Sequence, residues 1–195
     1  MADNVATEFI SSMKAKGKEA LGWFKKIIKR TQRAVIPAST GRKEILTDRN
    51  IGIDTRPIIG RMYLFQYNAK WKEKLPWWDM WPLIFPFDYA KGGFYGINVH
   101  YLPPNARADL MIRLIKANGS GGKMDERFRM KLSYNIITKF KPAIPCIKRY
   151  LFSQVMGKGF YGISGEDWSY AAALPLQKFQ KASDNTVWKW SASQY

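Results

Sequence analysis

Three short apolar runs, separated by glycine, proline and charged residues, constrain the fold of this chain more than any other feature. The runs lie at residues 62–67, 81–87 and 94–102, and all three are rich in the aromatic residues that strands favour. The glycine and proline residues between them are typical of turns. Strands that follow one another through short turns pair in antiparallel fashion. The sequence therefore predicts an antiparallel sheet in this part of the chain.

Proline positions and the flanking sequence refine this prediction. The second run contains Pro82 and Pro86, and proline cannot donate a hydrogen bond to a neighbouring strand, so we expect this strand to be short or at an edge. Pro103 and Pro104 suit the first turn of an amphipathic helix. A last strand is predicted at residues 168–176. The predicted fold is α+β: a small antiparallel SH3-like β-barrel with helical insertions and an N-terminal amphipathic helix.

The N-terminal segment has the pattern of a basic amphipathic helix. We assign residues 1–35 to this helix, 36–56 to a polar linker and 57–195 to the barrel domain, with a helical insertion at about 104–156. The apolar stripe of the helix, a candidate partner-docking surface, consists of Phe9, Met13, Leu21, Trp23, Phe24, Ile27 and Ile28. One interpretation lays the helix on a membrane surface or along a phosphate backbone. The favoured one docks the stripe on the barrel or on a neighbouring subunit, because large aromatic residues anchor interfaces.

The chain is strongly basic. Its 195 residues include 32 lysine and arginine against 15 aspartate and glutamate, a net charge of +17 at pH 7. A field of this strength attracts polyanions, and nucleic acid is the principal candidate. Anionic lipid and acidic protein surfaces are attracted by the same charge, and solubility alone would also account for it. No apolar run approaches the length of a membrane span, so no transmembrane helix is predicted.

A tryptophan-rich segment at residues 70–82 is the first candidate binding site. Four tryptophans lie there among lysines, an arrangement in which a DNA end stacks on the rings while the lysines hold phosphates. The candidate DNA-binding residues of this segment are Lys70, Trp71, Lys72 and Lys74. The alternative is that Trp77, Trp78 and Trp81 fill one end of the barrel. Trp71, between two lysines, is the tryptophan that we expect to be exposed.

A second basic region spans residues 123–158. Ser133 is suited to cap one helix and Pro145 to begin another, which would give two helices with cationic outer faces. The candidate DNA-binding residues here are Arg127, Arg129, Lys131, Lys139, Lys141, Lys148 and Arg149. Such helices suit contact with a duplex backbone, and a merely solvated face is an equally good interpretation.

A short internal repeat marks two positions where the backbone is expected to be closely packed. Gly-Phe-Tyr-Gly-Ile occurs at residues 93–97 and again at 159–163. Because glycine has no Cβ, we interpret both as strand entries that another backbone approaches closely. The C-terminal tail contains Trp188, Trp190 and Tyr195, and this aromatic content predicts that it packs against another part of the protein.

The sequence offers little for enzymatic chemistry. It contains one histidine, His100, one cysteine, Cys146, and no cluster of His, Cys and Asp at metal-ligand spacing. Cys146 is interpreted as a small buried apolar residue rather than a nucleophile. A nuclease built on arginine, lysine and Asp79 is a minor alternative. We expect no enzymatic activity, no metal and no cofactor.

Seven short motifs spread over residues 60–179 form a combination far more specific than any one of them. They are GRMYLFQY at 60–67, LPWWD at 75–79, PLI at 82–84, GFYGINVHYLPP at 93–104, LSY at 132–134, PCIKRYL at 145–151, and Leu174-Pro175 followed by Phe179. The combination resembles a family of virion proteins from T4-like tailed phages, whose members are identified as DNA end protector proteins.

The resemblance implies a structural virion protein that contacts double-stranded DNA and caps the packaged genome end against exonucleases. It would act at the head or its portal end, and it would pass through the host cytoplasm during assembly. Its expected partners are double-stranded DNA and other phage virion proteins, with an oligomer as a further option. The alternative is a neck, tail or baseplate component whose charge matches an acidic neighbour and which has no specific DNA role.

Overall fold

A computed structural model describes the central and C-terminal parts of the chain. The described residues are 42, 46, 51–103, 106, 107, 109, 110, 139–163, 168–173 and 176–195. The predicted N-terminal helix with its partner-docking stripe, most of the predicted linker and the helix predicted after Ser133 lie outside them. Arg127, Arg129 and Lys131 also lie outside them. These assignments and the predicted domain boundaries therefore stay predictions.

Eight strands, two α-helices and three short 3-10 helices have their bounds within the described residues. In chain order the strands are β1 (Ile53–Asp54), β2 (Met62–Tyr67), β3 (Trp78–Asp79), β4 (Leu83–Ala90), β5 (Gly93–Asn98), β6 (Ile147–Leu151), β7 (Val155–Ile163) and β8 (Phe179–Gln180). The helices are α1 (Trp168–Ala173) and α2 (Asp184–Ala192), with 3-10 helices at Val99–Tyr101, Lys141–Cys146 and Phe152–Gln154. An antiparallel sheet with a few helices agrees with the α+β prediction.

Six strands form one antiparallel sheet in the order β1-β7-β2-β4-β5-β6, and β3 pairs with β8 separately. β1 and β6 are its edges, and no described strand joins them, so the closed SH3-like barrel of the prediction is not found. One edge, β1, offers only two residues for pairing. The sheet is nevertheless strongly curved. Phe94 of β5 and Phe160 of β7 have ring centroids 5.6 Å apart, whereas strands three positions apart in a flat sheet are about 14 Å apart.

The central strand β2 is buried on both faces and divides the core in two. Tyr63, Phe65 and Tyr67 point to one face, while Met62 and Leu64 point to the other, and all five are buried. The first face carries an aromatic cluster of Tyr63, Phe65, Tyr67, Ala69, Ile84, Phe94, Tyr150 and Phe160. The sheet curves around this cluster, since burial of each large side chain contributes about 1.5–3 kcal/mol.

The prediction of a short or edge strand for the second run is wrong. β4 has eight residues and lies between β2 and β5. Pro86 is tolerated because the pairing of β4 with β2 ends at Ile84, so no carbonyl of β2 needs the N–H that proline lacks. The register with β5 shifts between Pro86 and Asp88. The Pro86 carbonyl in turn accepts the N–H of Gly60 at 3.1 Å.

Two further assignments are corrected by the structure. The segment after Pro145 does not form the predicted helix, because it becomes β6 and pairs with β5 along its length. Its Tyr150 packs into the aromatic cluster, and such packing overrides local helix signals. Residues 168–173 form α1 rather than a strand. Ala171 and Ala172 are strong helix formers, and the indole of the buried Trp168 fixes the helix by donating to the Ile163 carbonyl at 3.1 Å.

The internal repeat marks two close backbone approaches, as predicted, but only Gly93 begins a strand, since Gly159 lies inside β7. A Cβ on Gly93 would overlap the carbonyl oxygen of Tyr150 in β6. A Cβ on Gly159 would lie 2.7 Å from the carbonyl oxygen of Asp54 in β1, and the φ angle of Gly159 is 121°, a value that favours glycine. The two glycines therefore allow the edge strands β6 and β1 to approach their neighbours.

We predict that Gly93→Ala and Gly159→Ala each lower the free energy of unfolding by about 1–3 kcal/mol, because the added methyl group pushes an edge strand away. Gly52→Ala is the matched control, since nothing lies within 4 Å of a Cβ built there, and its effect should stay within about 0.5 kcal/mol. Urea unfolding of the three variants measures these values. Equal stabilities for Gly93→Ala and Gly52→Ala would contradict the close approach.

Candidate nucleic-acid interface

Asp79 is a buried carboxylate that joins three segments of the chain. Its Oδ1 accepts hydrogen bonds from the backbone N–H groups of Trp81 and Lys178, both at 3.0 Å. Its Oδ2 accepts from His100 Nδ1 at 2.7 Å and from Asn98 Nδ2 at 3.3 Å. Both oxygens are therefore satisfied, as a buried carboxylate requires. This arrangement gives Asp79 a structural role and leaves no free lone pair for the nuclease alternative.

His100 lies beside Asp79 in the neutral form. Burial lowers the pKa of His100 below its ordinary value of 6.5, and the opposing attraction of Asp79 is smaller. Burial alone would raise the pKa of Asp79, but His100 and the N–H groups of Lys178 and Trp81 bring it below 3.8. Since a carboxylate can only accept hydrogen bonds, the neutral imidazole donates its Nδ1–H to ionised Asp79.

The C-terminal helix α2 is held against the same region by its tryptophans. Trp188 donates its indole N–H to the carbonyl of His100 at 2.9 Å. The guanidinium of Arg107 lies 5.2 Å from the Trp188 ring centroid and also donates to the His100 carbonyl, at 3.0 Å. Trp190 meets Trp77 edge to face, with ring centroids 5.5 Å apart. The predicted packing of the aromatic C-terminal tail is confirmed for these two tryptophans.

The loop that carries Trp71 is held in place by Lys181. The Lys181 ammonium group donates to the carbonyls of Lys72, Glu73 and Leu75 at 2.7, 3.4 and 3.3 Å. The backbone of Lys181 is in the left-handed region, with a φ of 67°. Within the loop, the N–H of Leu75 donates to the Trp71 carbonyl at 3.1 Å. The Trp71 side chain is 60% exposed, so the predicted exposure of this tryptophan is confirmed.

An aromatic cleft of about 420 Å³ is lined by residues of this loop, β6 and α2. Its floor contains the buried Asp79, Tyr101 and Tyr150. Its rim contains the exposed rings of Trp71 and Trp190. The Asp79 network fixes this floor directly, because Asn98 Nδ2 bonds both to Asp79 and, at 3.1 Å, to the hydroxyl of Tyr150.

Lys148 brings a positive charge into the cleft. Its ammonium group lies 4.4 Å from the Tyr101 ring centroid and 5.3 Å from that of Trp190. One of its three N–H groups donates to the Pro145 carbonyl at 2.8 Å. Burial lowers the pKa of Lys148 from its ordinary value of 10.5. Among the described residues no carboxylate forms an ion pair with it, so it remains available to an external anion.

Further cations lie at the rim. The ammonium groups of Lys70 and Lys74 are 5.2 and 5.6 Å from the Trp71 ring centroid, within the range of a cation–π contact. Arg149 is exposed and donates to the carbonyl of Lys91 at 3.0 Å. The cleft therefore combines exposed tryptophan faces with several positive charges.

The structure brings together five of the DNA-binding candidates that were predicted from sequence. Four of them line the cleft, namely Lys70, Trp71, Lys148 and Arg149. The fifth, Lys74, lies over the ring of Trp71. Lys72 instead bonds to Asn68 at 3.4 Å. Lys139 and Lys141 are exposed but do not line the cleft. DNA binding by all of these residues stays a prediction.

The competing interpretation of the tryptophan cluster is confirmed in part. Trp77 and Trp81 are half-buried and pack against one core cluster, and Trp78 packs against the aromatic one. Trp77 and Trp78 also line the cleft. These rings thus fill space beside the sheet and form the wall of the candidate site.

Sequence reasoning missed several residues of the site. Tyr101, Tyr150 and Trp190 line the cleft, and Lys181 fixes the Trp71 loop. They lie between 19 and 108 positions from residue 82, and only tertiary contacts bring them to the tryptophan segment. The aromatic content of the C-terminal tail was the one signal for Trp190.

Cys146 is a buried apolar residue, as predicted. Its side chain is inaccessible to solvent, and its Sγ donates to the Pro142 carbonyl at 3.4 Å. Burial raises the pKa of the Cys146 thiol to about 12, so the thiolate that a nucleophile requires does not form near neutral pH.

Over the ranges that the structure describes, no three His, Cys, Asp or Glu side chains are placed to hold a metal ion. No helix in the described part of the chain is long and apolar enough to cross a membrane.

The sequence comparison decides the family. A family model described as the phage T4 terminal DNA protecting protein matches residues 3–193. The chain belongs to this terminal DNA protecting protein family. The resemblance inferred from the seven motifs is thereby confirmed. No curated protein and no solved structure matches the chain significantly.

Because the chain belongs to the terminal DNA protecting protein family, nucleic acid is the ligand to consider for the cleft. Stacking of bases on aromatic rings, combined with lysine and arginine contacts to phosphates, is how proteins bind nucleic acid without reading its sequence. The cleft offers both kinds of group, with Trp71 as the most exposed ring and Lys148 as the innermost cation. It is the candidate site of this family member.

The stability of this protein should fall in mild acid. The pKa of His100 is lower in the folded state than its ordinary 6.5, so the unfolded state binds the proton more tightly. The stabilisation is fully present above pH 6.5 and is lost as the pH falls below it, by up to about 1.4 kcal/mol per pH unit. Urea unfolding between pH 7.5 and 5 measures this slope.

The control for this experiment is His100→Asn, whose amide keeps a donor for Asp79 but does not titrate. Because His100 is the only histidine in the chain, the variant should have a flatter pH dependence between pH 7 and 5 than the wild type. Identical slopes for the two proteins would contradict the assignment of a neutral buried imidazole.

Proposed function

We propose that this protein contacts double-stranded DNA in the phage virion, caps the end of the packaged genome and shields that end from exonucleases. The observation that carries the proposal is the cleft, where the exposed Trp71 and Trp190 adjoin Lys148 and Arg149. The family description, which names the protection of terminal DNA, supports it.

A preference for ends follows from the chemistry of the two kinds of group. Lysine and arginine contact phosphates anywhere along a duplex, and a net charge of +17 favours such contacts on every DNA. An aromatic ring needs the open face of a base, and inside a duplex both faces of each base pair are already stacked. Only a terminal base pair offers a free face. The exposed ring of Trp71 would therefore add affinity at an end and nowhere else.

The position of the cations suits a DNA end as well. Lys148 and Arg149 are consecutive residues of the edge strand β6, so their side chains leave the strand in opposite directions. Lys148 reaches into the cleft, while Arg149 is exposed beside Lys91. Lys148 would contact the phosphate next to the stacked terminal base, and Arg149 would contact phosphates further along the strand.

We predict that the protein slows exonuclease digestion of linear duplex DNA at moderate salt and binds the same DNA much more weakly as a closed circle. Trp71→Ala should abolish the preference for linear DNA. Lys148→Ala/Arg149→Ala should weaken binding to both forms and reduce the slope of log affinity against log salt by about 2. Exonuclease protection and binding over a salt series measure these effects.

Arg61→Ala/Lys158→Ala is the charge-matched control, because both residues are exposed and neither lines the cleft. This variant should keep both the protection and the preference for linear DNA. Weak, salt-sensitive binding to linear and circular DNA alike, with no protection, would contradict the proposal and favour a neck, tail or baseplate component that binds another virion protein.

A further inference from the structure

The cleft is a concave site, and its shape restricts what can enter it. Its volume of about 420 Å³ is in the lower range of small-molecule sites. A duplex, whose major groove alone is about 12 Å wide, cannot enter a space of this size. A blunt DNA end could cover the rim at Trp71, but it would leave the floor at Tyr101 and Tyr150 without contact.

The chemistry of the cleft matches one nucleotide. The lining is predominantly aromatic, with the exposed faces of Trp71 and Trp190 at the rim. The ammonium group of Lys148, adjacent to Trp190, keeps two N–H groups that no described residue binds. A flat ring with an attached anion would therefore satisfy both the apolar wall and this cation.

The acceptor atoms of the floor are largely engaged, whereas the indole N–H of Trp78, which also lines the cleft, has no partner among the described residues. Both oxygens of Asp79 are occupied by four donors. The hydroxyl of Tyr150 accepts from Asn98 at 3.1 Å, and that of Tyr67 accepts the N–H of Leu151 at 3.2 Å. The groups left are donors, namely the Trp78 N–H and the hydroxyl hydrogens of Tyr67 and Tyr150. Stacking reads no base edge, so the cleft would accept any base through its rings.

We infer that the cleft takes up a single unpaired nucleotide at the terminus of a DNA strand, with its base on the rings of Trp71 and Trp190 and its phosphate at Lys148. This inference rests on the proposed function and deepens it, because it names what part of the DNA end enters the site. The duplex itself would then lie outside the cleft, against the exposed cations Lys70, Lys74 and Arg149.

Binding to matched linear duplexes that end either blunt or in one unpaired 2-aminopurine nucleotide tests this inference. We expect affinity about tenfold higher for the unpaired end, with the same gain for a natural purine or pyrimidine at that position. The fluorescence of the terminal 2-aminopurine should fall at least twofold on binding, whereas that of an internal 2-aminopurine should not change.

Three variants and one control make the test specific. Trp71→Ala, Trp190→Ala and Lys148→Met should each remove most of the tenfold preference, and the two tryptophan variants should restore the fluorescence. Tyr89→Ala is the control, because this tyrosine is 51% exposed and lies outside the cleft. Trp71 is on a surface loop, so its substitution tests the inference even where Trp190→Ala disturbs packing on Trp77.

Exonuclease protection of the same duplexes separates the two proposals. Protection of both ends, with equal affinities and unchanged 2-aminopurine fluorescence, would overturn the inference and leave the proposed function standing. Absence of both protection and quenching would overturn both. Self-association that Trp71→Ala abolishes, without quenching, would assign the cleft to a second copy of the chain and overturn the inference.

Discussion

The buried carboxylate of Asp79 is the constraint on which the candidate site depends. Its two oxygens bind groups from the tryptophan segment, from the 3-10 helix that carries His100, and from Lys178, the residue before β8. Removal of one of the four donors would leave a lone pair of the buried carboxylate unsatisfied, which costs about 1–3 kcal/mol. These hydrogen bonds add to the pairing of β3 with β8 and tie both to the 3-10 helix that carries His100. The cleft exists because they meet at one point.

Much of the sheet could be predicted from local sequence, and the differences have identifiable physical causes. β2 occupies the residues predicted for the first run, since its aromatic residues fit a strand in any context. The position of β4 could not be predicted, because the effect of Pro86 depends on where the pairing with β2 ends. β6 was mistaken for a helix because its pairing with β5 and the packing of Tyr150 are contacts over long sequence distances.

In the candidate site, as in the sheet, local features could be predicted from sequence and long-range contacts could not. Trp71, Lys148 and Arg149 could be proposed from sequence because clusters of aromatic and basic residues are local features. Nothing local indicates that Lys181 fixes the Trp71 loop or that Trp190 closes the rim, since both contacts require the fold. The resemblance to T4-like virion proteins predicted a more specific function than the composition did. The match over residues 3–193 confirms the family. The geometry adds a defined aromatic and basic cleft, which is the surface that we propose for terminal DNA.

Photocrosslinking from the DNA end tests the central claim most directly, because it reports which residues the terminus touches. The protein would be irradiated with linear duplexes that carry 5-iodouracil either at the terminal position or in the middle, and the crosslinked peptides identified by mass spectrometry. The account predicts that the terminal probe crosslinks to peptides that contain Trp71, Tyr101 or Trp190, and that the internal probe does not. Equal crosslinking by both probes, or crosslinks confined to residues far from the cleft, would contradict it.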